Sequence, residues 1–230
     1  DSVGKVATSD CDGPAGVNNF ITGTYGTPYP TEVLMAQTWN TDLLYDLGLA
    51  MGQEYADVNN YGVYGPAMNT HRSAFAGRNF EYYSEDGVLA GKLAAAQVNA
   101  MATKGTYNYI KHFALNDQET NRCAFLLTYS NEQAIREIYL KPFELCIKNF
   151  DGTQIAVMSS FNWIGTVPAC ANEDTLTTIL RNEWGFQGMV ITDYDGSYGY
   201  MITDHCVRTG NDLMLGFSSQ ASNQLTNTES

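Results

Sequence analysis

A chain of 230 residues with 44% hydrophobic side chains can bury a sizeable core as one large domain or part of one. Its 25 acidic residues against 12 basic ones give a formal net charge of -13, which repels phosphate backbones and anionic lipid surfaces, so neither nucleic acid nor membrane is an expected partner. No apolar run approaches the ~20 residues that cross a bilayer, and the opening "DSVGKVATSD" reads as mid-domain sequence without the basic and apolar regions of a signal peptide.

Along the chain, short β-branched apolar runs alternate with longer stretches of helical period. "KVATSD" (5–10) predicts a first strand and "TDLLYDLGLAMGQEYADV" (41–58) the helix after it. "YGVYGPA" (61–67) predicts a second strand, followed by a helix over "SEDGVLAGKLAAAQVNAMA" (84–102). A third strand is read in "NYIKHFAL" (108–115), and a helix in "NEQAIREIYLKPFELCIKN" (131–149), capped by Asn131 and interrupted or kinked at Pro142. "QIAVMSSF" (154–161) is the fourth strand, and "NEDTLTTILRNEW" (172–184) the next helix, with Asn172 as its cap and Gly185 just past its end. "GMVITDY" (188–194) and, more weakly, "NDLMLG" (211–216) complete six strands, with Asp204 read as the cap of a last helix between them. The alternation predicts an α/β fold of parallel units, a (β/α)8 TIM-barrel-like domain with about six of its units visible. Residues 1–217 are read as that barrel domain and 218–230 as a polar tail or linker.

Polar residues gather at the carboxyl ends of these strands: Asp10 and Asp12, Asn69 and His71, Lys111 and His112, Ser159, Ser160 and Asn162, then Asp193 and Asp195. One such residue alone caps a helix as readily as it does chemistry. Five units in succession point to a site, because that end of a parallel α/β sheet is where active sites are built. Asp195 is read as a loop or cap acid. Five scattered cysteines, odd in number and without a C-x-x-C pair, argue against a disulfide framework and a zinc site, although one bridge stays open. His71, His112 and His205 are far apart in the chain, so no metal or cofactor is expected.

"GRNFEYYSED" (77–86), "KHFALNDQETNR" (111–122), "REIYLKPFE" (136–144), "VMSSFN" (157–162), "LRNEWGFQGMVITDY" (180–194) and "GNDLMLG" (210–216) resemble the barrel domain of glycoside hydrolase family 3, in the same order and at similar spacings. The resemblance covers nearly the whole chain and is greatest to bacterial members of the β-glucosidase-like branch, in which the barrel follows a sandwich domain. It implies a retaining, exo-acting β-glycosidase, most of all a β-glucosidase, acting on terminal β-linked sugars of oligosaccharides or glycosides. Asp193 matches the nucleophile that forms a covalent glycosyl-enzyme. Asp12 matches the acid that accepts hydrogen bonds from sugar hydroxyls, and Arg78, Lys111 and His112 match donors to ring hydroxyls. Their charges are expected to keep Asp193 ionised. Glu81, Glu85, Asp117 and Glu119 are read as partners that hold Arg78 and Lys111, while Met158 and Phe161 match walls of the subsite.

Two positions depart from the family's usual wording: Tyr194 stands where many members have Trp, and Phe161 where many have Tyr. The second removes a hydroxyl that could bond the nucleophile. The general acid/base of this branch comes from a companion α/β sandwich domain, and no segment here resembles it, so the chain is read as a portion of a longer enzyme. The alternatives are a carbohydrate-binding barrel without catalysis, or an inactive fragment, and, much weaker, an aldolase using Lys111 as a Schiff base. Compartment is left open between extracellular and cytoplasmic: acidic charge suits secretion, unpaired cysteines a reducing interior.

Overall fold

Six parallel strands stand side by side in the order of the chain: β1 (Asp10–Asp12), β2 (Gly62–Tyr64), β3 (Tyr107–Phe113), β4 (Ile155–Ser159), β5 (Val190–Tyr194) and β6 (Leu213–Leu215). The computed structural model describes residues 8–152, 154–194 and 199–216. Asp195 and the tail 218–230 lie outside the described residues. An open doubly wound sheet reverses its strand order at a switch point, whereas this sheet never reverses, which is the arrangement of a (β/α)8 barrel. The expectation of an incomplete barrel of six units is met. A small antiparallel extension, Asn18–Asn19 and Thr24–Tyr25, continues the sheet beyond β1.

Helices cover the outer face: α1 (Glu32–Ala36) and α2 (Thr41–Asp57) precede β2, α3 (Gly87–Ala102) precedes β3, and α4 (Lys141–Lys148) precedes β4. α5 (Asp174–Glu183) and α6 (Thr203–Arg208) precede β5 and β6. Their starts follow from side chains that accept orphan backbone N–H groups. Asn40 Oδ1 accepts from Asp42 and Leu43 at 3.0 and 3.1 Å, Asp86 from Val88 and Leu89 at 2.7 and 3.2 Å, and Asn172 from Thr175 at 2.9 Å. Each cap is worth about 1 kcal/mol. Because Asp86 is the cap, α3 starts at Gly87 and not at Ser84. The predicted helix 131–149 divides: Asn131 caps a short widely wound stretch through Tyr139, and Pro142, which has no N–H to give, lies in the first turn of α4. Asp204 is not a cap; it lies inside the first turn of α6 and pairs with Arg208 at 2.9 Å.

Strand alternation divides the core into two layers. Ile110, Phe113, Ile155, Val157 and Val190 point outward into the main cluster under the helices, with Leu93, Phe143 and Leu180. Tyr109, Ala156, Met158 and Ile191 point inward and pack together inside the curl of the sheet. α2 and α3 approach closely enough that a Cβ at Gly48 would meet Gln97 O at 2.5 Å. Below the site, Asp10 Oδ2 accepts from the Tyr109 hydroxyl at 2.9 Å, and Asp10 Oδ1 from Tyr107. Among the described residues the first strand runs Asp10–Asp12, so Asp12 belongs to the strand instead of following it, while residues 5–7 of the predicted strand lie outside the described residues.

Candidate active site

Period 2 carries Asp193 to the site. Ile191 is in the inner layer, so Asp193, two residues on, occupies the same face one layer higher. Asp12 stands in the same relation to Asp10 on β1, half-buried at the strand end. The Tyr55 hydroxyl holds the turn behind Asp12, donating toward the carbonyls of Asp12, Gly13 and Gly16 at 3.1, 3.1 and 3.2 Å. Gly13 has φ +152°, and any Cβ there would collide with that hydroxyl. On β3 the ladder to β4 shifts register between Ile110 and Phe113, and it is in this irregular stretch that Lys111 and His112 lie.

The cations form a clamp around one acid. Glu81 Oε2 accepts from Arg78 Nε and Nη2, both at 2.7 Å, while Glu81 Oε1 lies 3.1 Å from Lys111 Nζ. Burial alone would raise the Glu81 pKa, but Lys111 and Arg78 outweigh it and hold the carboxyl below its usual range. Glu119 extends the network, 3.9 Å from Arg78 Nη1 and 3.0 Å from Arg122 Nη1, and accepts from Asn116 Nδ2 at 2.8 Å. Glu81 and Glu119 therefore hold the cations as expected. Glu85 is exposed and takes no part, and Asp117 faces elsewhere, toward the Thr70 N–H and Arg72, with burial pushing it up to about 7.

Asp193 is in a different state. Its side chain is buried, Oδ1 accepts from the Tyr194 N–H at 2.7 Å, and Oδ2 has no hydrogen-bond partner among the described residues. Burial pushes its pKa up, and the Tyr194 N–H with the charges of Lys111, Arg122 and Arg78 opposes this without cancelling it. The cations act in the expected direction, favouring the ionised form, and desolvation acts against them and is larger.

His112 Nε2 is 3.7 Å from Asp193 Oδ2. Burial, then Arg78, Lys111 and Arg122, drive the imidazole well below its usual pKa, so it is neutral and the contact is not an ion pair. Reciprocal bonds fix the His112 backbone, its N–H donating to Asn69 Oδ1 at 2.8 Å and its carbonyl accepting from Asn69 Nδ2 at 2.9 Å. The Tyr82 hydroxyl lies 3.4 Å from His112 Nδ1.

Phe161 is buried beside the site with the Arg122 guanidinium 4.5 Å above its ring, and Tyr194 packs half-buried against the same cluster. Met158 is paired with Ile191 in the ladder and packs with Tyr109, so it lies one layer beneath Asp193, as floor and not wall. Arg122 and Tyr82 are the residues that sequence reasoning passed over. Both stand inside quoted motifs, and the signal for Arg122 was its place three residues after Glu119. Among the described residues no three His, Cys, Asp or Glu side chains come together as a metal site.

Residues 7–213 match the family described as "Glycosyl hydrolase family 3 N terminal domain". Beta-glucosidase A of Butyrivibrio fibrisolvens is 42% identical over 215 residues, which cover 93% of this chain and 25% of that protein. Among solved structures, beta-glucosidase 3B from Thermotoga neapolitana in complex with glucose has a TM-score of 0.82 at 38% identity, covering 99% of this chain and 31% of that one. The beta-glucosidase from Kluyveromyces marxianus in complex with glucose has a TM-score of 0.87 at 30% identity, covering 97% of this chain and 26% of that one. The chain thus spans about a quarter of the length of the curated relatives it matches. With the family's motifs, its strand order and an inward-facing acid at the end of β5, the chain belongs to glycoside hydrolase family 3.

Proposed function

We propose that this chain is the barrel portion of a retaining, exo-acting β-glucosidase in which Asp193 is the nucleophile. The observation that carries this reading is the state of Asp193: an inward carboxylate with one oxygen oriented by a backbone N–H and the other unengaged, beside a cluster of anchored cations. Asp193 Oδ2 forms a bond to the anomeric carbon as the glycosidic C–O bond breaks, and the departing oxygen takes a proton from an acid on a companion domain. Water then attacks the anomeric carbon with that acid's conjugate base accepting its proton, which returns Asp193 as a free carboxylate.

The charge pattern supports a polyol substrate. Arg78 and Lys111 keep spare donors beyond their bonds to Glu81, and Asp12 offers two acceptor oxygens for neighbouring hydroxyls. Neutral His112 can give a hydrogen bond without adding charge where positive charge develops on the sugar. Two of the similar structures are complexes with glucose, which supports a glucose-sized subsite. An acid/base must stand roughly 5 Å from the nucleophile in a retaining enzyme, and the quarter-length span of the chain supports its supply by a domain elsewhere in the longer protein.

A 2-deoxy-2-fluoro β-glucoside with a good leaving group tests the reading. It forms the covalent intermediate and slows its hydrolysis, so the full-length protein should gain one fluoroglucosyl mass, and peptide mapping should place it on Asp193. Label on another carboxylate, or none in a protein that turns over β-glucosides, overturns the assignment.

A further inference from the structure

We propose that Glu32, on α1, is a positioning residue for the sugar-binding clamp: a neutral acid that backs Lys111 without competing with Glu81 for it. The proposal rests on the glycosidase reading above and deepens it.

Glu32 is enclosed by the barrel's own residues, with 1% of its surface exposed, and α1 packs on the turn Asn79–Glu81 that carries Glu81. Its carboxyl lies beside Ala67, whose backbone is bridged to Tyr82 on one side and to Lys111 on the other. Two further bonds fix that junction: the Met68 N–H donates to Lys111 O at 2.8 Å, and the Lys111 N–H to Pro66 O at 3.1 Å. Glu32 therefore stands behind the point where the loop after β2, the Glu81 turn and β3 meet.

These surroundings are not arranged to hold a negative charge. Neither carboxyl oxygen completes a hydrogen bond among the described residues, although the N–H groups of Ala67 and of Glu32 itself lie near. The titratable groups that face it from the elements packed around it are Glu81 and Lys111, Tyr83 just after the Glu81 turn, and Tyr55 on α2. Both tyrosine hydroxyls are spent elsewhere. Tyr83 donates to Gln97 Oε1 on α3 at 2.6 Å, and Tyr55 donates toward the carbonyls behind Asp12. Burial first, and the Glu81 charge with it, drive the Glu32 carboxyl well above its usual range, with Lys111 opposing. At neutral pH Glu32 is a protonated acid.

That state matters for the charge of the clamp. Arg78 and Lys111 against Glu81 leave one positive charge in surplus, while Glu119 and Arg122 pair with one another at 3.0 Å. A carboxylate at Glu32 would cancel the surplus. Among the described side chains that act on Glu32, Lys111 alone keeps hydrogens to give, because its ammonium has three and Glu81 Oε1 takes one. An ionised Glu32 would therefore draw Lys111 back from the sugar, and protonation leaves Lys111 free to donate to a hydroxyl.

The test uses the full-length protein with Glu32→Gln, which keeps the shape and cannot ionise, and Glu32→Met, a second neutral side chain of similar length. Inhibition by glucose, in which no bond breaks, is measured from about pH 5 to 9. The parent is expected to lose about tenfold in glucose affinity toward the upper end, and both variants less than about twofold. Only the change with pH within each protein is compared, so a uniform loss from repacking does not count. Thermal melts read the proton independently: a carboxyl whose pKa is raised on folding loses its contribution as pH rises toward the folded value, so both variants should gain on the parent from about pH 4 upward. A gap between parent and variants that does not move with pH overturns the neutral acid. Melts that shift as expected beside parallel affinity profiles show a buried acid that only fills space, which overturns the positioning role. If the parent neither binds glucose nor cleaves β-glucosides, the glycosidase reading fails, while the melts still report the state of Glu32.

Discussion

Glu81 and Asp193 are two buried acids at the same end of one sheet, and their environments drive them apart. Glu81 sits between Arg78 and Lys111 at 2.7 and 3.1 Å and is held ionised below the usual range. Asp193 feels the same cations at longer range, has one backbone N–H and an unengaged oxygen, and is driven upward by burial. A carboxylate that is fully satisfied is a poor nucleophile, because attack must first break its bonds. One acid spends its charge on fixing two cations. The other is kept underpaired, which costs stability and leaves it able to react.

The largest effect should come from removing the underpaired acid. Asp193→Asn in the full-length enzyme is expected to lower kcat/KM by about 10⁴-fold or more, since the covalent step has no substitute nucleophile. The same change should stabilise the fold at neutral pH. A carboxyl whose pKa is raised on folding favours the folded state in acid, and that contribution is lost as pH rises through the folded value. Asparagine carries no such penalty, so thermal melts should show the variant ahead of the parent at pH 7 and level with it below about pH 4, where the unfolded-state carboxylate is also protonated. A variant destabilised at pH 7 would contradict the account of Asp193 as a strained charge.

Glu81→Gln should act in the opposite sense and less on rate. Removing one partner from a buried ion cluster costs about 3 kcal/mol, and loosening Arg78 and Lys111 should lower kcat/KM by about 10–100-fold. Glu81 has a lowered pKa, so its contribution is present above the ordinary glutamate range and disappears as pH falls through the folded value. The parent's acid-side loss of stability should therefore shrink in the variant, which a series of melts from pH 3 to 7 would register.

Part of this contrast was legible in the sequence and part was not. Asp193, Asp12 and the six strands could be read because strand alternation is local: an apolar run of period 2 that ends on a polar residue announces both the strand and the end that carries the site. Arg122 could not be read the same way. It lies in a loop without periodicity, and only the fold brings its guanidinium over Phe161, which is distant in the chain. α1 escaped for a related reason, since five residues are too short to show a helical period, and its Glu32 is 1% exposed, an acid that composition alone would place on the surface. The two-residue strands that carry Trp163 are likewise below the length at which alternation means anything. What the sequence concealed is contact between loops, and those contacts decide the electrostatic state of Asp193, the proposed nucleophile, whose position was readable.

The smallest expected effects are also the most diagnostic, because they tune Asp193 without removing it. Arg122 is among the charges that oppose the rise in the Asp193 pKa, so Arg122→Met should shift the acidic limb of the kcat/KM profile to higher pH. Phe161→Tyr should move it the other way if the new hydroxyl reaches the carboxylate, since a donor to the charged form favours ionisation. Rate on the pH plateau should change little in either case, because the ionised fraction there is already near one. The sign of each shift is the informative quantity: opposite displacements mean that desolvation of Asp193 is balanced by groups on its Phe161 flank, whereas a limb that stays fixed in both variants means that another group titrates there.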